Sequence, residues 1–161
     1  MTVSLSPAAV LMVEDVDSKF DDVSACVRGA IELDIELCRA THLNEAEDQV
    51  MSRRWDLLIL DLSMDITSVA SIDLHSGHAT LGGLDVLERI ALLKIDLPTI
   101  LVTGFDSFQD PDRFENAIMN LRDVDEMGRR LLSKNYWGCV RYGLEGWELQ
   151  LRNALRDWAK K

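Results

Sequence analysis

The sequence predicts a doubly wound α/β fold: one five-stranded parallel sheet of order 2-1-3-4-5 with helices on both faces. Three observations carry that expectation. Apolar runs of strand length alternate five times with segments of helical period, the pattern of a covered parallel sheet. The runs at 8–13 and 57–60 are continuously apolar rather than alternating, as strands buried on both faces require. Right-handed crossovers leave few topologies, and the 2-1-3-4-5 order places the first, third and fourth strands side by side.

The first strand ends where Glu14 begins. Asp17 or Ser18 caps a first helix reaching about Arg28, with Phe20, Val23, Ala25 and Val27 inward and Gly29 as its stop. Ile31, Leu33, Ile35 and Leu37 alternate with polar residues and Cys38, which marks a second strand nearer the sheet edge. A second helix over 44–53 has acids early and arginines late, the order a helix dipole favours. The third strand, 57–60, stops at Asp61. Residues 63–81 lack a sustained period, so an enlarged loop is expected at about 65–81.

Leu84, Val86, Leu87, Ile90 and Leu93 give a third helix, closed by Asp96-Leu97-Pro98. Residues 99–102 form the fourth strand and lead into Thr103-Gly104. Phe114, Ile118, Leu121, Val124 or Met127, and Leu131 predict a long fourth helix over about 113–134, with Gly128 weakening its middle. A fifth strand over 136–142 and a terminal helix bearing Trp147 and Trp158 complete the chain.

At 161 residues and 47% hydrophobic content, a single domain over 1–161 is expected. No apolar stretch approaches the ~20 residues of a membrane span, and the first residues lack a signal-peptide pattern, so the expected location is the cytoplasm. Cys26, Cys38 and Cys139 contain no CxxC pair and suggest neither disulfides nor zinc. A net charge of -11 without a dense basic run argues against nucleic acid as a partner.

Ligands in open α/β sheets bind at the carboxyl ends of the strands. Glu14 and Asp15 follow the first strand, Asp61 the third and Thr103 the fourth, so all four share that edge. Magnesium takes oxygen ligands, commonly one or two carboxylates with water and a phosphate oxygen. An aspartate can also attack phosphorus, provided cations neutralise the charge on the transferring group. Asp61 is the central candidate.

Over nearly the whole chain these motifs resemble the receiver domain of two-component response regulators, a flavodoxin-like fold. Val10-Leu11-Met12-Val13-Glu14-Asp15 is similar to that family's first strand and acidic pair. Residues 55–64 resemble its strand to the phosphoacceptor, and Gly83-Leu84-Asp85-Val86-Leu87 the start of its third helix. The resemblance implies that Asp61 accepts a phosphoryl group from a histidine kinase or phosphotransfer protein. It implies that Glu14, Asp15, Asp61 and the Ser63 backbone carbonyl hold Mg2+, and that Thr103 is the switch hydroxyl. It also implies signalling rather than enzyme activity, beyond a receiver's own phosphorylation and dephosphorylation. The output surface would be the fourth helix, fifth strand and fifth helix, meeting a downstream protein or a second copy; with no effector segment after the last helix, a stand-alone receiver is expected.

The sequence also departs from that family. Its members usually carry Lys-Pro after the fifth strand, where the ammonium pairs with the phosphoryl group; Tyr142-Gly143 stand there instead. Arg141, Tyr142 and Lys134 are the available substitutes. Cys139 takes the place of the aromatic switch residue. Two other readings are therefore carried: a pseudo-receiver that binds proteins without phosphorylation, and an Asp-nucleophile phosphatase, which needs a second aspartate where Ser63 stands.

Overall fold

A computed structural model describes residues 6–64, 80–109 and 117–161. The chain runs β1 (Ala8–Val13), α1 (Asp17–Ala30), β2 (Ile35–Ala40), α2 (Leu43–Ser52), β3 (Leu57–Leu60), α3 (Leu84–Leu92), β4 (Thr99–Thr103), β5 (Ser107–Gln109), β6 (Ile118–Asn120), α4 (Leu121–Leu132), β7 (Tyr136–Arg141) and α5 (Trp147–Ala159). Five parallel strands form the main sheet in the order β2-β1-β3-β4-β7, so β7 is its fifth strand and the 2-1-3-4-5 order holds.

Period-two alternation within the apolar strands builds two cores rather than one exposed face. Val10, Met12, Leu57, Ile59, Ile100 and Val102 face α1 and α5, where Val23, Val27, Leu151, Leu155 and Trp158 cover them. Leu11, Val13, Leu58, Leu60 and Leu101 face the other way, toward Ala46, Val50, Leu87, Ile90, Val124 and Met127 of α2, α3 and α4. Trp158 is therefore core, and Trp147 is half-buried against Tyr142 with ring centroids 4.9 Å apart.

Several predicted boundaries move. Helix α1 continues through Gly29 to Ala30, and its N-cap is Val16 without a side-chain cap; the Val16 N–H instead donates to Glu14 Oε1 at 3.0 Å. The inner face of α1 is Lys19, Val23, Cys26, Val27 and Ala30, while Ala25 is exposed. Strand β2 begins at Ile35, because Ile31 is buried as the C-cap of α1.

The expected long fourth helix is shorter. Helix α4 begins after Asn120, whose side chain accepts from the Asp123 N–H while Asp123 accepts from the Asn120 N–H, a capping box that fixes the start. Residues 118–120 are instead a strand, paired antiparallel with β5 around the fully buried Phe108. Gly128 does not break α4: a Cβ there would lie 2.5 Å from Tyr136 Cε2, so the glycine lets the β7 ring pack against the helix. The rest of the predicted helix, 113–116, and all but residues 80 and 81 of the expected enlarged loop lie outside the described residues.

Strand β7 gains one residue against β4 between Thr99 and Leu101, at Gly138, which adopts φ +123°. This bulge sets which side chains of β7 face α1, and Val140 and Tyr142 turn that way.

Candidate functional site

Three backbone hydrogen bonds continue the sheet one residue past its strands. Glu14 N–H donates to Ala40 O at 3.0 Å, Asp61 N–H to Val13 O at 3.1 Å, and Tyr142 N–H to Thr103 O at 2.8 Å. Glu14 and Asp61 are each the first polar position after an apolar strand, Tyr142 follows Arg141 at the end of β7, and the ladder holds all three along one edge.

Carboxylate oxygens of Glu14, Asp15 and Asp61 lie within 4.8 Å of one another, Glu14 and Asp61 buried and Asp15 exposed. Thr103 is fully buried at the end of β4, where its Oγ1 accepts from the Phe105 N–H at 3.2 Å. The all-oxygen donor set, with two buried carboxylates and one open to solvent, is compatible with magnesium. Asp61 Oδ1 is fixed by two donors from Ser63, the backbone N–H at 2.9 Å and the hydroxyl at 2.6 Å. That leaves Oδ2 facing the pocket.

Sequence reasoning missed one member. Lys19, from the first turns of α1, is 6% exposed and places its ammonium 2.7 Å from Glu14 Oε2 and 3.2 Å from Asp61 Oδ2. Its third partner is the Val102 carbonyl at 3.3 Å. Burial works against the charged lysine, but Asp61 and Glu14 outweigh it and hold its pKa above the usual value. Burial first, and the Asp61 charge second, push Glu14 up to about 7 against the opposing pull of Lys19. The signal for Lys19 was available: it heads the stripe 19, 23, 26, 27, 30, the i, i+4, i+7, i+8, i+11 face of a helix, where a surface lysine does not belong.

The expected lysine substitutes do not enter the pocket as cations. Arg141 turns to Asp106, Nε to Oδ1 at 2.8 Å, and its Nη1 donates to the Tyr142 carbonyl. Lys134 lies before β7, at the opposite edge of the sheet, 3.9 Å from Asp96; the strand that would have placed it in the pocket is the end of α4 followed by a 3-10 turn. Tyr142 does stand beside the site, its ring centroid 5.9 Å from Lys19 Nζ and its hydroxyl donating to Asp22 Oδ2 at 2.5 Å.

Glycines set the approach of α3. A Cβ on Gly83 would meet Asp61 O at 2.7 Å and Leu62 Cα at 2.8 Å, and one on Gly82 would meet Met64 O at 1.9 Å. The Gly83 N–H donates to Leu62 O at 3.1 Å, so the start of α3 rests on the turn that carries Asp61 and Ser63.

No family model and no curated protein matches the chain. Solved structures do match. A response regulator receiver domain from Rhodospirillum rubrum superimposes with a TM-score of 0.63 at 14% identity, covering 96% of this chain and 95% of that one. The Francisella response regulator 1452 receiver domain gives 0.57 at 18% identity over 95% and 97%. A receiver domain protein from Clostridium thermocellum gives 0.57 at 14% over 95% and 94%. The chain has the receiver fold, carried by a divergent sequence.

Proposed function

We propose that the protein is a response regulator receiver that accepts a phosphoryl group on Asp61 in a magnesium-dependent reaction and signals through a changed protein-docking surface. One observation carries this: three carboxylates within 4.8 Å at the carboxyl edge of a receiver-fold sheet, with Asp61 buried among them and oriented by Ser63. Asp15, Asp61, Glu14 and the Ser63 carbonyl would hold the metal. Bound magnesium supplies positive charge to the transferring phosphoryl group. Ser63 holds Oδ1, which aims Oδ2 at phosphorus, while burial of Glu14 and Asp61 keeps competing water out.

The phosphodonor would be a histidine kinase or phosphotransfer protein in the cytoplasm. Thr103, fully buried at the end of β4, is the hydroxyl placed to follow the new phosphoryl oxygens and draw the loop after β4 inward. That movement reaches the surface formed by α4, β7 and α5, a population shift toward a partner-binding state. Tyr136 ties two of these elements, since its hydroxyl donates to Asp125 of α4.

The pseudo-receiver reading is favoured, beside the missing lysine, by the ammonium that already engages Glu14 and Asp61. Incubation with magnesium chloride and acetyl phosphate separates the two. The expected result is one hydroxylamine-labile phosphoryl group by intact mass, absent in Asp61→Ala. No labelling, or labelling that persists in that variant, refutes phosphoacceptance at Asp61.

A further inference from the structure

We propose that Lys19 is the cation that meets the phosphoryl group on Asp61: the lysine missing from the end of the last strand is replaced from the first turns of α1, and Tyr142 keeps it there. The proposal rests on the phosphoacceptor reading above.

An ammonium has three N–H donors. Those of Lys19 have three partners, Glu14 Oε2 at 2.7 Å, Asp61 Oδ2 at 3.2 Å and Val102 O at 3.3 Å, so the charge is held at one point and not merely nearby. A lysine only 6% exposed loses most of its hydration, and its contacts with two buried carboxylates are what offset that loss. The oxygen it touches is the informative one. Ser63 takes Asp61 Oδ1, so phosphorus would bond at Oδ2, and a group bonded there arrives beside the Lys19 ammonium.

Tyr142 explains why the helix can supply this cation. It stands where the resemblance places a lysine, faces α1 because of the bulge at Gly138, and covers Nζ with its ring at 5.9 Å. Its hydroxyl donates to Asp22 Oδ2, on the same helix one turn from Lys19, at 2.5 Å. The tyrosine thus closes the pocket behind the ammonium and clamps α1 to the end of β7. The local charge count is the one a strand-borne lysine would give, three carboxylates against one ammonium.

With acetyl phosphate, Asp61 Oδ2 forms the new P–O bond and the bond from phosphorus to the acetyl oxygen breaks. Acetate leaves with that electron pair, and no proton moves. Lys19 stays protonated and exchanges its contact with Oδ2 for the incoming phosphoryl oxygens.

The test compares native protein with Lys19→Met and Lys19→Gln, each confirmed folded by circular dichroism, using acetyl phosphate and magnesium chloride. Phosphorylation of Asp61 is expected to slow about 100-fold in both, the scale of losing one charge-stabilising contact to a transferring group. Binding of magnesium alone, read by tryptophan fluorescence, is expected to tighten as the competing ammonium goes. A purely structural ion pair predicts the tighter metal binding too but leaves the phosphorylation rate within about threefold of native, and that result overturns the proposal. A relocation variant, Lys19→Met with Tyr142→Lys, should recover at least about a tenth of the native rate; a folded double variant as slow as Lys19→Met also overturns it. If neither single variant folds, the double variant is decisive by the same criterion. Absence of any phosphoryl group on the native protein defeats the phosphoacceptor reading itself, whereas a labelled native protein with unaffected Lys19 variants defeats only the lysine assignment.

Discussion

At Asp61, Ser63 supplies two hydrogen bonds to a single carboxylate oxygen, and the hydroxyl bond at 2.6 Å is the shorter. A hydrogen bond to a charged group contributes about 1.5–3 kcal/mol, so Ser63→Ala, which keeps the backbone donor, is expected to lower unfolding free energy by roughly 1.5 kcal/mol in urea titration. A change under about 0.3 kcal/mol would show that solvent restores the lost bond. At this scale the acids were legible and the base was not. Glu14, with Asp15 after it, and Asp61 mark the points where apolar runs stop, a one-dimensional signal. Lys19 is found only by projecting α1 onto its buried stripe, and the partners that justify its burial come from just past β1 and β3 and from β4. Arg141 illustrates the opposite error. One residue from the expected place, it is drawn to Asp106 in the segment after β4, which no spacing rule within β7 foretells.

Two glycines separate what an element needs from what it merely tolerates. A methyl group on Gly83 would drive α3 off the turn carrying Asp61, with contacts of 2.7 and 2.8 Å to backbone atoms that cannot rotate away. Gly83→Ala is therefore expected to cost about 2 kcal/mol, the range for overpacking, and to slow Asp61 phosphorylation. Gly29 lies inside α1 with nothing within 4 Å of an added Cβ, so Gly29→Ala should stabilise by about 0.5–1 kcal/mol through helix propensity. Equal effects at both positions in thermal unfolding would refute this packing argument. Elements read best from sequence where burial on both faces dictated composition, as in β1 and β3. They read worst around α4. There Ile118 and Leu121 fall at a helical interval, yet Asn120 and Asp123 cap the helix between them and Met119 is the residue that turns inward. The short ribbon of β5 and β6 has one large buried side chain in three residues on β5, Phe108, too little for any periodicity to register.

For the whole molecule, the sheet order was readable because parallel strands in a chain of this length admit few right-handed arrangements, and that order alone brings Glu14, Asp61 and Thr103 to one edge. Charge acts at the same scale. The molecule carries a formal charge of -11, and its three clustered carboxylates retain a net negative charge after Lys19 is counted. A divalent cation bound only by the native state adds RT ln(1 + [L]/Kd), about 2.7 kcal/mol at 100 times Kd. Magnesium chloride should therefore raise the thermal midpoint in a saturable way, by several degrees for a domain of this size. General screening of an acidic surface would also stabilise, but sodium chloride at matched ionic strength supplies that contribution without filling the site. The site-specific part is the excess of magnesium over sodium, and it should vanish in Asp61→Asn and in Asp15→Asn. If magnesium and sodium curves coincide for the native protein, the carboxylates hold no metal, and the Lys19 ammonium is then what balances Glu14 and Asp61.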